Sequence, residues 1–434
     1  MTHTIQFRRG RAKVEFDLPD LPFAGNAFIP SMAVIPLVQD SDDEATPIVS
    51  VGDHVREGQL IARGSVPVHA PIPGVVSAFR RIPLPNGSIG EAAVISLRGS
   101  FSITGRKSAN NDWRSIPPGD VCKIVDERGV VNSFEGAHSL AKDIRRSRAI
   151  EKPVLVCRLF DSDPTSPVES LTLKECGPSV WNGFGILAAA MKAHAIVLAF
   201  EEGGASAVPA EDTLRGLFGE ARVSAISVKP RYPGGSAYRL SKLIRERVSD
   251  LSLSNAVFCD AVTALAAYEA VVRDLPSITM NVLVAGSAIA APRFLRVRTG
   301  TLIGDIIDEC GGFRSSPARI IVNGLIRGTA LYDLDTPITR YTRSLHVMDK
   351  DSCPSFTVQS CTHCGACLGV CPSRLDPIGT VIAVRNRSLS VRDIQSIHAC
   401  EQCGCCSMVC PARIPIHHEI AVGRQLSKEG AQRD

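Results

Sequence analysis

Nine of the 15 cysteines of this 434-residue chain lie in one C-terminal stretch, between positions 361 and 410. Two runs in that stretch, Cys361–Pro372 and Cys400–Pro411, both read C-x2-C-x2-C-x3-C-P. Thiolates at this spacing are typical ligands of [4Fe-4S] clusters in proteins that hold two of them. Zinc is the alternative, since paired C-x2-C motifs are common zinc ligands. Four cysteines that end in proline, twice in one chain, fit zinc poorly, so we predict two clusters that relay single electrons.

Three thiolates of a short C-x2-C-x2-C loop can converge on one face of a cluster, and the fourth ligand must come from elsewhere. In two-cluster ferredoxins the fourth cysteine of each run binds the other cluster. One cluster is therefore expected to be held by Cys361, Cys364, Cys367 and Cys410. The second is expected to be held by Cys400, Cys403, Cys406 and Cys371. Cys405 breaks the spacing and is predicted to be a thiol that binds no iron.

The segment between the two runs is long enough for helices, because Cys371 and Cys400 lie 29 positions apart. Asp376–Asn386 is apolar at helical spacing, and Ser390-Val-Arg-Asp393 resembles a cap that opens a second helix. A third helix is expected to start near His417. Residues 353–426 are thus predicted to form a helical, two-cluster ferredoxin-like domain.

The composition is that of an ordinary globular protein, with 44% hydrophobic and 21% charged residues. The formal net charge is only +4, which does not support nucleic-acid binding. Crowded cysteines indicate metal ligation in a reducing compartment and not a disulfide scaffold. We find no secretory leader and no uncharged apolar stretch of about 18 residues. Any association with a membrane is therefore expected to occur through partners.

Residues 1–105 are predicted to form a β-rich module. The stretch Val51–Val76 alternates short apolar runs with Gly-Asp and Pro-x-Gly turns, as in the small β-sandwich that carries biotin or lipoate. Such a carrier displays a lysine at a hairpin tip, where this chain has His69 and no lysine. We therefore expect a lysine-free, biotinyl-like β-sandwich that serves in packing, with His69 in a structural role.

Residues 121–290 alternate strand-like and helix-like runs, which predicts a Rossmann-like α/β domain with a mainly parallel sheet. Ligands of such sheets bind at the carboxyl ends of the strands. The segments at those ends are Phe160-Asp161, Glu201-Glu202 and Lys229–Gly235. Residues 291–345 combine a strand, a short helix and a hairpin, which outlines a β-grasp module. The fold class is therefore multidomain α/β.

The order of these parts resembles the C subunit of the Rnf electron-transport complex, and the resemblance covers most of the chain. It is strongest in Val51–Val76 (V-G-D-x-V-x-x-G-Q and H-A-P-x-x-G-x-V), in Arg296–Gly312 and in Cys400–Pro415. Soluble corrinoid reductases share this architecture, and the flavin subunit of respiratory complex I is more distant kin. The resemblance implies an SLBB-like β-grasp module, NADH oxidation on FMN, and transfer through two clusters to membrane subunits. Ferredoxin or NADH would be the electron partner, and the chain would lie peripherally on the cytoplasmic side of the cell membrane.

The chain departs from this family in its flavin loop. The family's loop resembles G-x-G-G-A-G-F-P-T, and the corresponding residues 132–140 keep only Gly136 and Ala137. The family's N-G-A-E-C-E-P-Y corresponds to Cys157–Pro164. Glycines let the backbone approach the FMN phosphate and ring, whereas Glu135 and His138 would crowd that space, and Glu135 would also add negative charge beside the phosphate. The altered loop therefore disfavours FMN.

Three residues are the candidate flavin or nucleotide ligands: Gly136, Ala137 and Glu201, the last of which stands where the family has an acidic residue after a strand. The first functional hypothesis is an electron-transfer subunit of an Rnf-type, membrane ion-translocating oxidoreductase. The second is a soluble flavin and iron–sulfur reductase of a corrinoid-type acceptor, which needs an intact flavin loop. The third is a docking scaffold with structural clusters, against which the eight intact ligands argue. The chain is thus expected to act as a subunit of an oxidoreductase rather than as an NADH dehydrogenase of its own.

Overall fold

The computed structural model describes residues 2–7, 10–15, 21, 23–38, 44–204, 208–353 and 355–431. Parts of the predicted 1–105 module, at residues 1, 8–9, 16–20, 22 and 39–43, lie outside these described residues. The architecture is multidomain α/β, with β-structure at the start of the chain and helices at its end. No helix within the described ranges is both long and apolar enough to cross a membrane.

Two small sheets and one separate strand pair build the N-terminal module. The strands of this part of the chain are β1 Thr2–Phe7, β2 Gly10–Glu15, β3 Phe23–Asn26, β4 Met32–Pro36, β5 Thr46–Pro47, β6 His54–Val55, β7 Leu60–Arg63, β8 Val68–His69, β9 Gly74–Pro83 and β10 Ile89–Leu97. β4, β10, β9 and β6 form an antiparallel sheet, β5, β7 and β8 form another, and β1 pairs with β2.

His69 is buried in β8, where burial first, and then the nearby Arg340 and Arg128, lower its pKa to about 3. Ile61 and Ile95 lie in the core of the same module. A neutral, packed imidazole agrees with the structural role expected of His69.

A parallel four-stranded sheet with helices on both faces follows. Alternate residues of its central strand face opposite layers. Leu155 and Cys157 pack with the helices Pro118–Glu127, Val168–Met191 and Ala261–Val271, whereas Val154 and Val156 pack with the helix Ala237–Arg247. After a 3-10 turn at Trp113–Ser115, the elements are α1 Pro118–Glu127, β11 Val131–Asn132, β12 His138–Ser139, α2 Leu140–Arg148, β13 Val154–Arg158, α3 Val168–Met191, β14 Ala195–Glu201, α4 Glu211–Phe218, β15 Arg222–Val228, α5 Ala237–Arg247, β16 Val257–Asp260 and α6 Ala261–Val271.

The strand order of this sheet is β15-β14-β13-β16, and all neighbours are parallel. β14 and β15 therefore lie on one side of β13, and β16, which follows them in the chain, lies on the other side. Such a reversal opens a crevice beyond the carboxyl ends of the two strands on either side of it, which is the usual ligand site of an open α/β sheet. Here that crevice lies beyond Arg158 of β13 and Asp260 of β16, which are paired in register.

A mixed six-stranded sheet, ordered β20-β19-β21-β17-β18-β3, follows the parallel one and takes β3 from the N-terminal part. Its elements are β17 Thr279–Ala285, β18 Arg293–Arg298, α7 Ile303–Glu309, β19 Pro317–Val322, β20 Thr329–Leu331 and β21 Ser344–Asp349. The expected 121–290 domain contained the residues of β17, but β17 pairs with β18 and β21 and not with the parallel sheet. The mixed sheet therefore includes residues before 291 and runs past residue 345.

The C-terminal part consists of short helices around the two cysteine runs. Ser390 accepts a hydrogen bond from the Asp393 amide while the Asp393 carboxylate accepts one from the Ser390 amide, so the cap predicted from the sequence is confirmed as a capping box. The helices are α8 Ala366–Val370, α9 Pro377–Arg385, α10 Val391–Ala399, α11 Cys405–Met408 and α12 Ile416–Ala431.

Arg340 links the N-terminal module to the parts that follow. Its guanidinium is buried and donates to the carbonyl oxygens of Pro67, Gly129 and Ser277, at 2.8, 2.9 and 3.1 Å. Burial without a carboxylate partner lowers the pKa of Arg340 to about 10. One side chain thus satisfies carbonyls from three separate segments of the chain.

Replacing Arg340 by lysine is expected to destabilise the fold by about 2 kcal/mol, because an ammonium group cannot reach three divergent carbonyls and each buried acceptor left unpaired costs about 1–3 kcal/mol. The shift of the thermal unfolding midpoint measures the loss. Arg215→Lys on exposed α4 is the control and should change stability by less than about 0.5 kcal/mol. If the Arg340→Lys variant were as stable as the wild type, the three hydrogen bonds from Arg340 to carbonyl oxygens would contribute little to the stability of the fold.

Candidate functional site

The two cysteine runs share one backbone conformation. Each has a left-handed residue before its third cysteine, namely Gly365 and Gly404, both with φ of 73°, and a short helix begins directly after it. In each run the first cysteine sulfur accepts a backbone N–H from two residues further on, at 3.4 Å: His363 to Cys361, and Gln402 to Cys400. Because N–H groups aimed at sulfur stabilise negative charge there, both loops suit thiolates that bind an iron–sulfur cluster.

Two cavities separate the eight motif cysteines into two groups. The first cavity has about 500 Å³ of empty space, including open solvent, and its cysteines are Cys361, Cys364, Cys367 and Cys410. The second has about 430 Å³, and its cysteines are Cys371, Cys400, Cys403 and Cys406. Each cavity thus takes three cysteines from one run and the last cysteine of the other run, the grouping expected from the sequence. In the part of the chain that the structure describes, no three Cys, His, Asp or Glu side chains are arranged to hold a single metal ion.

The cavities differ in their exposure to solvent. Cys364 of the first is exposed, whereas Cys403 of the second is 7% exposed. Burial raises the pKa of the Cys371 and Cys400 thiols, and raises that of Cys406 to about 12. Buried thiolates need a cation beside them, and a bound metal would supply it.

Cys405 lies in neither cavity. It is fully buried and packs with Ile326 from the turn between β19 and β20. A hydrogen bond from Cys405 lowers the pKa of the neighbouring Cys403. Cys405 is therefore placed to support a motif cysteine, and its role as a thiol that binds no iron stays a prediction.

The second cavity rests against the parallel α/β sheet. The Tyr232 hydroxyl, in the loop after β15, donates to the Cys403 carbonyl oxygen at 2.7 Å. Glu401 accepts from Ser236 at 2.7 Å and from Ser373 at 3.0 Å, and Arg239 lies 3.6 Å from it. The sequence marked Lys229–Gly235 as a strand-end segment, but nothing in its spacing indicated contact with the cysteine runs.

Four charged side chains fill the crevice between β13 and β16. The Arg158 guanidinium pairs with Glu169 at 2.7 and 3.0 Å, and Arg343 reaches Glu169 at 2.6 Å and Asp260 at 2.5 Å. Burial alone would raise the pKa of Asp260, but Arg343 and Arg158 overcome it and lower the pKa to about 2. We call Arg158, Glu169, Asp260 and Arg343 the switch-point network. The Phe134 ring lies 4.0 Å from the Arg158 guanidinium and covers the network.

The candidate flavin residues lie on separate segments of the α/β part. Ala137 is buried against Val66 and Val131, and Gly136 has a φ of 149°. Glu201 is at the end of β14, where burial raises its pKa. No hydrogen bond or ion pair within the described ranges joins it to Gly136 or Ala137.

Glu135 has a partner that the sequence did not predict. Its carboxylate accepts a hydrogen bond from the Ala237 amide, at 3.0 Å, at the N-terminus of α5. The N-terminal amides of a helix are where a bound phosphate would otherwise be held. Side chains of the chain itself therefore occupy both the crevice and this helix end.

Residues 24–99 match the family model described as the RnfC barrel sandwich hybrid domain. The chain is RnfC-like, and the resemblance predicted from its motifs is confirmed. It is 27% identical over 359 residues to the C subunit of a proton-translocating ferredoxin:NAD(+) oxidoreductase complex of Clostridium ljungdahlii, covering 80% of this chain and 78% of the relative.

Two further relatives carry similar names. The C subunit of the Na(+)-translocating ferredoxin:NAD(+) oxidoreductase complex of Acetobacterium woodii is 26% identical, with 80% of each chain covered. The C subunit of an ion-translocating oxidoreductase complex of Rhodobacter capsulatus is 27% identical over 80% of this chain and 69% of its own. Among solved structures, an NAD+-reducing [NiFe]-hydrogenase in the H2-reduced state matches with a TM-score of 0.48 and 15% identity. That match covers 72% of this chain and 62% of the hydrogenase chain.

Proposed function

We propose that the protein is an electron-transfer subunit that binds two [4Fe-4S] clusters, one in each cavity. It belongs peripherally to an Rnf-type, ion-translocating oxidoreductase of the membrane, on its cytoplasmic side. The observation that carries the proposal is the division of eight cysteines into two groups of four, each drawn from both runs. The partners are the membrane subunits, together with ferredoxin or NADH as the source or acceptor of electrons. The names of the relatives support this assignment.

The residues of the chain fit this cofactor. Each bound cluster would supply the exchange of one electron at a time. The cysteines hold the clusters, and the backbone N–H groups of His363 and Gln402 stabilise charge on their sulfurs. The contacts of Tyr232 and Glu401 hold the second cysteine run, which supplies three ligands of the more buried cluster, against the α/β sheet.

FMN does not fit the site where the family would hold it. The switch-point network fills the crevice, and Glu135 takes the α5 amide that could bind phosphate. A phosphate there would meet a carboxylate that is already bonded. We infer that the α/β part is retained for docking and support, and that electrons enter and leave this chain through other proteins.

Anaerobic purification with iron, sulfide and flavin determination tests the proposal. We expect about eight irons and eight sulfides for each chain, as two [4Fe-4S] clusters require, and no flavin released by acid. One flavin per chain would contradict the inference about the crevice while leaving the clusters in place. Zinc in place of iron would refute the proposed function itself.

The two alternative functions predict different outcomes. A corrinoid-type reductase would retain flavin and remain soluble without membrane partners. A scaffold with structural clusters would hold iron that a low-potential chemical reductant does not reduce. Isolation with membrane subunits, together with reducible clusters, supports the electron-transfer subunit over both.

A further inference from the structure

An open groove runs between the α/β part and the end of the first cysteine run, with about 1050 Å³ of empty space that includes open solvent. One wall is the Lys229–Gly235 loop with the exposed face of α5. The opposite wall includes Val370 and Pro372, which flank the motif cysteine Cys371. The groove is therefore lined by the two sequence neighbours of Cys371, whose side chain lines the second cavity.

The charged residues that line this groove are mostly basic. Four basic side chains, Lys229, Arg231, Arg239 and Arg247, line it, and Glu246 is its one acidic lining residue among those described. Arg239 is partly neutralised by Glu401, 3.6 Å away. Lys229 and Arg231 are exposed, and no carboxylate of the described residues forms an ion pair with either. We call this surface the basic groove.

Lys229 and Arg231, which form no ion pair with a carboxylate of the described residues, lie near a cysteine of the second cavity in a protein of net charge only +4, and this arrangement indicates an anionic partner. Complementary charge accelerates encounter and fixes orientation between proteins. We propose that the basic groove docks a small acidic electron-carrier protein against the second cluster site. This inference rests on the proposed function and adds to it the place where the carrier binds.

A dinucleotide is the competing anion, and two observations disfavour it. In an open α/β sheet the dinucleotide crevice lies where the strand order reverses, but β15, whose loop forms the groove, is at the edge of the sheet. The α5 N-terminus, which could hold a phosphate, is already occupied by Glu135 and by its own cap Ser236. The wide groove instead presents its cations on an exposed loop and helix face, which suits a protein surface.

The probe for this proposal is an oxidised, acidic two-[4Fe-4S] ferredoxin, whose affinity is measured by titration calorimetry at low and high salt. Lys229→Glu/Arg231→Glu should weaken binding by about tenfold or more at low salt, and the difference should shrink as salt screens the charges. The matched control is Lys242→Glu/Arg245→Glu, which makes the same charge change at exposed positions of α5 outside the groove. The control should weaken binding by less than about threefold.

Equal losses in both double variants would overturn the proposal, because net charge alone would then explain binding. Unchanged affinity of Lys229→Glu/Arg231→Glu would overturn it as well. So would NADH binding that depends on Lys229 and Arg231 while the ferredoxin fails to bind. Iron content and reduction by dithionite are measured on the same samples. A wild-type chain that contains no iron, or whose iron dithionite does not reduce, would refute the proposed function. A change in ferredoxin affinity in a variant with intact clusters reports on the basic groove alone.

Discussion

A variant that lacks Cys361 and Cys364 is expected to retain about four irons, and adding Cys410→Ala should leave that content unchanged. Adding Cys371→Ala instead should remove most of the remaining iron. The reason is that Cys410 lines the cavity already disabled, whereas Cys371 lines the cavity that still holds its cluster. Iron determination and the absorbance of the anaerobically reconstituted protein measure both results.

The alternative arrangement, in which each run supplies all four ligands of its own cluster, predicts the reverse pattern. In the variant that already lacks Cys361 and Cys364, Cys371→Ala would then leave the iron content unchanged, and Cys410→Ala would remove the remaining iron. Cys405→Ala serves as the control in that background and should retain about four irons, because Cys405 lines neither cavity. Loss of iron in this control would show that general unfolding, and not ligand removal, determines the count.

The cysteine groups could be predicted from the sequence because their information is local. The spacing within each run fixes which three sulfurs can converge, and the repeat itself indicates the exchange of the fourth. The alternation of strands and helices also predicted an α/β sheet, and the cap at Ser390 was legible from four residues. The pairing of β17 could not be predicted from the sequence, because its apolar run suits either the parallel sheet or the mixed sheet.

The position of the crevice could be predicted from the sequence, but the charged side chains that fill it could not. Phe160-Asp161 marks the end of β13, but the side chains that fill the space come from positions 158, 169, 260 and 343. None is near the others in sequence except Arg158 and Glu169, and charged residues of this kind usually lie at the surface. Only the fold shows that they neutralise one another inside it.

The switch-point network makes Asp260 a residue whose charge the fold requires. Asp260→Ala is expected to lower the free energy of unfolding by about 3–5 kcal/mol, the usual result of removing one member of a buried ion pair. Asp260→Asn should cost less, about 2 kcal/mol, because asparagine can still cap α6 as the Asp260 carboxylate does toward the Thr263 amide, at 2.9 Å. Urea unfolding at neutral pH measures both, with Glu211→Ala in the exposed pair with Arg215 as the control.

Acid should remove the difference in the free energy of unfolding between Asp260→Asn and the wild type. The folded pKa of Asp260 is about 2, below its ordinary value of 3.8, so the folded state binds this proton less readily than the unfolded state. The stabilisation by the carboxylate is therefore complete above the unfolded pKa and is lost as the pH falls from about 4 towards 2. The stability gap should stay constant from neutral pH to about pH 5 and then narrow. A gap that widens in acid, or an Asp260→Asn variant as stable as the wild type at neutral pH, would mean that the network does not depend on this charge.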